Sequence, residues 1–193
     1  MYIQTCILDR LHGMNNVIGQ KLSNTTPPIA DFNASDEESW LFEELSRDEA
    51  ISTLQNQPDG TFLVRPSSTI KGDLVLCVKE GTKVSHYIIN VCEEDSKSIY
   101  KIGDKTFSNM KDLLNFYKQR LLDTSPLVRI YPKPRVRTKY KFDGKDEEDL
   151  PFKKGQILMI IKKVEPLWWL ARNSVGDKGM IPANYVEYIR DDI

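Results

Sequence analysis

The chain has 193 residues, enough for one large domain or two small ones. Its 27 lysines and arginines balance 28 aspartates and glutamates, so no overall basic field marks it for nucleic acid or a membrane surface, and charge acts only locally. Apolar runs such as Ile157 to Ile161 are too short to span a membrane, and Asp9, Arg10 and His12 stand where a signal peptide needs an apolar run. Cys6, Cys77 and Cys92 form no CxxC and are odd in number, which points to neither a disulfide framework nor a zinc site. A soluble intracellular protein in a reducing compartment, without metal or cofactor, is expected.

Residues 1–35 mix Asn, Thr, Pro and isolated apolar residues without a period, and Thr25-Thr26-Pro27-Pro28 breaks any helix there. This stretch reads as a flexible tail. Ser46-Arg47-Asp48-Glu49 has the form of a capping box, and Ala50, Ile51 and Leu54 give the helix it opens an apolar face. The turn signal Pro58-Asp59-Gly60 closes it. Four strands follow as an antiparallel meander: Thr61 to Arg65, Leu74 to Lys79, Val84 to Ile89 and Ser98 to Ile102, with a polar loop from Glu93 to Lys97. Met110, Leu113, Leu114, Tyr117 and Leu121 then recur at helical spacing behind a cap at Ser108. Residues 36–130 are therefore one α+β domain, an antiparallel sheet flanked by two helices.

Tyr131-Pro132-Lys133-Pro134-Arg135 carries two prolines, which remove donors and fix φ, so residues 131–135 are a linker. At about 3 Å per residue it reaches on the order of 15 Å and keeps its neighbours close. From 136 to 190 only short strands and turns are found, as in a small all-β barrel.

Strand alternation in Phe62-Leu63-Val64-Arg65 sends Phe62 and Val64 to one face and Leu63 and Arg65 to the other. A guanidinium aimed inward is costly unless paired, and a phosphate offers two charges and oxygens that match its fork. Ser67-Ser68-Thr69 supplies hydroxyls and turn amides next to it, with Arg47 and His86 as further sources of positive charge. The alternative reading pairs Arg65 with a buried carboxylate, leaves Arg47 in solvent and makes His86 a core histidine. Trp40, Ser46 to Ala50, Gly60 to Arg65 and His86-Tyr87-Ile88-Ile89 occur in an order and spacing that resemble a Src homology 2 (SH2) domain. The resemblance implies a phosphotyrosine pocket with Arg65 at its bottom and Arg47, Ser67, Ser68 and His86 around it. It further implies that Tyr87 and Ile89, with loops near Asp104 and Leu127, shape the pocket for the third residue after the phosphotyrosine.

In the second domain Trp168 and Trp169 on one strand must face opposite ways, so one can be core while the other lies on the surface. Tyr140, Phe142, Pro182 and Tyr185 suit a groove for polyproline helices, and Asp146-Glu147-Glu148-Asp149 adds acid beside it. Barrel core and a solvated loop are the alternatives. Asp149 to Gly155, Trp168-Trp169 and Gly179 to Val186 together resemble a Src homology 3 (SH3) domain. Src-like and Abl-like kinases place that domain first, whereas here it comes second. The order, Val84 to Asn90, Leu122-Asp123-Thr124 and Asp146 to Gly155 resemble the Crk family of adaptors. That resemblance implies phosphotyrosine-x-x-Pro as first ligand and Pro-x-x-Pro-x-Lys as second, the ligand lysine held by Asp146, Glu148, Asp149 and Glu165 and the prolines by Trp168 and the groove. It implies tyrosine-phosphorylated receptors or scaffolds and proline-rich effectors such as exchange factors or kinases as partners, with a cytoplasmic protein drawn to membrane-associated phosphotyrosine complexes. Nucleic acid and direct membrane insertion are not expected. An enzyme is disfavoured as well: the sequence has no glycine-rich phosphate loop, no His-Arg-Asp or Asp-Phe-Gly triplet, and no cysteine followed by arginine six residues on. Two departures stand out. Lys139 and Lys141 flank the groove, and Tyr131-Pro132-Lys133-Pro134 itself fits phosphotyrosine-x-x-Pro unless Tyr131 simply packs where the first domain ends.

Overall fold

The computed structural model describes residues 30–94 and 96–189. Two bodies follow one another along the chain. In the first, a sheet of order β5-β4-β3-β2-β1-β6 is formed by β1 (Thr61–Pro66), β2 (Leu74–Glu80), β3 (Lys83–Glu94), β4 (Lys97–Ile102), β5 (Lys105–Phe107) and β6 (Arg129–Ile130), all antiparallel except β6 on β1. Alternation along β1 and β2 divides its apolar residues between two cores. Phe62, Val64, Leu76 and Val78 meet Leu113, Leu114 and Tyr117 of α3 (Met110–Lys118), while Leu63, Val75 and Cys77 meet Ala50 and Leu54 of α2 (Arg47–Leu54).

Both bonds of the expected capping box form at α2: the Ser46 hydroxyl accepts from the Glu49 amide, and the Glu49 carboxylate from the Ser46 amide. Gly60 is a position only glycine suits, with φ of 77° and Val128 Cγ2 only 2.5 Å from where a Cβ would sit. That close approach lets β6 return beside β1.

Several expectations shift. A short helix α1 (Glu37–Trp40) and strand β5 were not foreseen, and β3 runs through Glu93 and Glu94, expected as loop. The α3 cap is Asn109, whose Oδ1 accepts from the Asp112 amide, in place of Ser108, whose hydroxyl instead reaches the Asp112 carboxylate. Leu121 lies past α3 and is exposed; Phe116 packs on the core instead. Residues 1–29 of the expected tail lie outside the described residues. Its remainder is fastened to the first body: Asp31 N–H donates to Val128 O, the Phe32 ring stands edge-on to Phe62 at 4.7 Å, and Ala34 is buried with its carbonyl taking the Trp40 indole N–H.

The second body is an antiparallel sheet of order β10-β9-β8-β7-β11, from β7 (Arg135–Thr138), β8 (Ile157–Lys162), β9 (Trp168–Arg172), β10 (Lys178–Pro182) and β11 (Val186–Tyr188). Val136, Leu150, Leu158, Ala171 and Ile181 fill its core. The linker is pinned at both ends, since Tyr131 N–H donates to Phe62 O and Pro134 O accepts from Ile160 N–H. Tyr131 packs against Phe42 at 6.2 Å, as its alternative reading has it.

Candidate functional sites

Arg65 ends the inward-facing row of β1 and is 4% exposed. Its Nη1–H donates to the Pro66 carbonyl at 3.1 Å; Nε has no partner, and among the described residues no carboxylate pairs with it. The carboxylate alternative therefore fails. An unpaired buried guanidinium is a standing cost that a dianionic ligand would relieve.

His86 stands opposite Cys77 in the β2–β3 ladder, and Cys77, whose own partner on β1 is Leu63 two residues before Arg65, lies within reach of the Arg65 guanidinium. Cys77 Sγ lies 3.2 Å from His86 Nδ1, and His86 Nε2 is buried without a partner. Burial, then the nearby Arg47 and Arg65 charges, lower the His86 pKa from its ordinary 6.5. The positive charge expected of His86 is thus disfavoured where no anion is bound. Arg47, at the exposed start of α2, supplies charge to the pocket from solvent. The Ser67 hydroxyl accepts from the Thr69 and Ile70 amides and so builds the loop after β1, whereas Ser68 is exposed.

Next to this pocket Tyr87 and Ile89, the residues expected to shape a neighbouring peptide pocket, share the face that packs on α3, and Ile89 is fully buried in that core. Tyr87 stays half-exposed and donates its hydroxyl to Glu80 Oε2 at 2.6 Å. Glu80, which the sequence reading passed over, is itself buried, and its Oε1 accepts the amides of Thr124 at 2.9 Å and Ser125 at 3.0 Å. Although burial favours its protonated form, the hydrogen bonds from Tyr87 and those amides hold its carboxyl below the ordinary 4.5. Glu80 thereby ties the loop before β6 to the side chain that borders it.

In the second body four of the aromatic residues singled out in the sequence form a row. Tyr140 and Tyr185 meet at 5.5 Å, Phe142 and Tyr185 at 6.0 Å, and Phe142 and Trp168 at 6.1 Å, with Tyr140 the most exposed of them at 57% and Pro182 buried beneath. The tryptophans do take opposite faces, but neither is core: both are half-buried, Trp169 lying on Tyr188 with the Lys163 ammonium 5.1 Å away. Of the flanking lysines, Lys141 is paired with Asp143 at 2.7 Å.

The acidic residues arrive from two loops. Asp146 and Glu148 are exposed, and Asp149 Oδ2 accepts the amides of Lys145 at 2.7 Å and Asp146 at 3.2 Å, so Asp149 shapes the loop as well as charging it. Gly179 lets this loop lie on β10, because a Cβ there would stand 2.6 Å from the Glu148 carbonyl. Glu165 exchanges backbone hydrogen bonds with Trp168 and is exposed beside it.

The SH2 domain family matches residues 40–117 and the SH3 domain family residues 137–183. A buried strand arginine without a counterion, followed by an aromatic groove rimmed with acid, makes the chain an SH2–SH3 protein. The adapter molecule Crk of Drosophila melanogaster is 46% identical over 163 residues, 83% of this chain and 60% of that protein. Cell death abnormality protein 2 of Caenorhabditis elegans is 40% identical over 162 residues, 77% of this chain and 57% of that protein. A solved structure of CED-2 is 37% identical and superposes with a TM-score of 0.61, covering 82% of this chain and 100% of that one. The chain belongs to the Crk family. It spans roughly three fifths of the length of these curated relatives. Among the described residues no helix is long and apolar enough to cross a membrane.

Proposed function

We propose that this chain is a signalling adaptor: its SH2 domain docks on phosphotyrosine-x-x-Pro segments of receptors or scaffolds, and its SH3 domain brings Pro-x-x-Pro-x-Lys effectors to them. The observation that carries the reading is Arg65, buried, with Nε unpartnered and no acid beside it, next to an unpartnered His86 Nε2. Neither group has a reason to stay buried unless a ligand completes it. The aromatic row and the acidic loop support the second half, four rings flanked by charge of the sign that selects lysine. The mechanism is connection, with the phosphorylated partner fixing location and the proline-rich partner supplying activity.

Calorimetry with a phosphotyrosine-x-x-Pro peptide tests it. Truncating one side of a buried charge pair costs roughly 2–5 kcal/mol, so Arg65→Lys, which keeps the charge but loses the fork, is expected to weaken binding by roughly thirtyfold to several thousandfold. Equal affinity of the variant and the native chain would refute the pocket.

A further inference from the structure

Cys77 stands beside the two unsatisfied groups of the pocket. It is fully buried on β2 between the Arg65 guanidinium and the His86 ring, so its sulfur faces the two groups that the phosphate pocket depends on. Sγ lies 3.2 Å from His86 Nδ1 and 4.0 Å from the Val75 carbonyl, and the Arg65 guanidinium, a donor only, is a further hydrogen-bonding neighbour. A neutral imidazole carries its proton on one nitrogen only, and the hydrogen bond made by one nitrogen decides the state of the other.

We propose that Cys77 is a positioning residue of the phosphate pocket: its thiol donates to His86 Nδ1 and so keeps the ring proton on Nε2, the buried nitrogen left free to donate to a phosphate oxygen. This rests on the phosphotyrosine reading of the pocket. An Nδ1 lone pair can be met by the thiol proton, and burial pushes the Cys77 thiol up to about 11 against the opposing Arg65 and Arg47 charges, so that proton is present throughout the neutral range. The opposite tautomer would turn an Nε2 lone pair toward a dianion and leave Arg65 to offset the repulsion. The groups facing His86 are Cys77, Arg47 and Arg65; burial first, then the two cations, disfavour a second ring proton, so donation by the ring depends on which tautomer is held.

Long-range proton–nitrogen NMR of the full chain without ligand reads the tautomer directly. The native chain is expected to show a protonated Nε2 and an unprotonated Nδ1 for His86; Cys77→Ser, which keeps a donor at the site, retains that pattern, and Cys77→Ala yields a mixture of both forms. A proton on Nδ1 in the native chain, or an unmixed pattern in Cys77→Ala, overturns the proposal. In calorimetry with the phosphotyrosine-x-x-Pro peptide, Cys77→Ala is expected to lose roughly two- to tenfold in affinity, the worth of one ordinary hydrogen bond, and Cys77→Ser to recover most of it. Equal losses in both variants would mark Cys77 as packing alone. A native chain with the expected tautomer that binds no phosphopeptide would instead overturn the phosphotyrosine reading and, with it, the role given to Cys77.

Discussion

Glu80 shows how a single buried carboxylate can serve as structure. It accepts from the Tyr87 hydroxyl on one oxygen and from the Thr124 and Ser125 amides on the other, so removing it strands donors on two segments at once. Unsatisfied buried donors cost about 1–3 kcal/mol each site, and Glu80→Ala is expected to lower stability by at least that much in urea unfolding. Because its folded pKa lies below the ordinary 4.5, the contribution is fully present above that value and fades as pH falls through the folded one. The native chain should therefore lose stability more steeply than Glu80→Gln as pH falls below about 4.5, and parallel curves would argue against the carboxylate as the anchor. Nothing in the sequence marked Glu80, since one acid at the end of an apolar strand has the same look as any edge residue. Arg65 was legible because alternation alone fixes its direction, whereas the lowered pKa of His86 and the depth of Ile89 depend on which neighbours the fold supplies.

At the level of elements, local signals carried well where they are short-range. The Ser46 to Glu49 box, the β1 to β4 meander and the apolar face of α3 all form close to the positions their patterns indicate. What escaped were α1 and β5, three or four residues long, and the true α3 cap one residue downstream, where Asn109 and Ser108 were equally plausible by type. The acidic loop illustrates a role that pattern could not separate. Asp149 both charges the groove and holds two loop amides through Oδ2. Reversing its charge would disturb the loop and the ligand together, but Asp149→Asn keeps a carbonyl oxygen for those amides. Calorimetry should thus show Asp149→Asn weakening a Pro-x-x-Pro-x-Lys peptide while sparing its lysine-free counterpart, and Trp168→Ala weakening both. Similar losses for the two peptides in Asp149→Asn would exclude lysine selection by this residue.

For the whole molecule, the short linker implied proximity but gave no sign of the contacts that join the two bodies. Asp36, before α1, takes both terminal nitrogens of Arg172 on β9 at 2.7 Å, Glu38 pairs with Lys178 at 2.6 Å, and Glu43 with Lys162 at 2.6 Å. At the centre Lys133 is buried, donating to the Leu41 and Ile161 carbonyls with its ammonium 3.9 Å from the Phe42 ring centre. Such a seam fixes the Arg65 pocket and the aromatic groove relative to each other, so under the proposed function a doubly bound partner gains effective concentration only if its own spacing fits. Exposed ion pairs contribute little singly, but the two-pronged Asp36–Arg172 pair is half-buried, and a double-mutant cycle should return a coupling of about 1 kcal/mol. Lys133 supplies a separate signature. Burial pulls its ammonium down to about 8, against the opposing pull of Glu43, Glu38 and Glu44, so between about 8 and the ordinary 10.5 the unfolded chain holds more protons than the folded one. Stability attributable to this residue must then rise with pH across that window. Thermal unfolding followed from pH 7.5 to 10.5 is expected to show that rise in the native chain and to lack it in Lys133→Met, whose similar length removes the charge while filling the space. If the two proteins keep the same pH dependence, Lys133 is not titrating in a buried seam and the bodies are free of each other there.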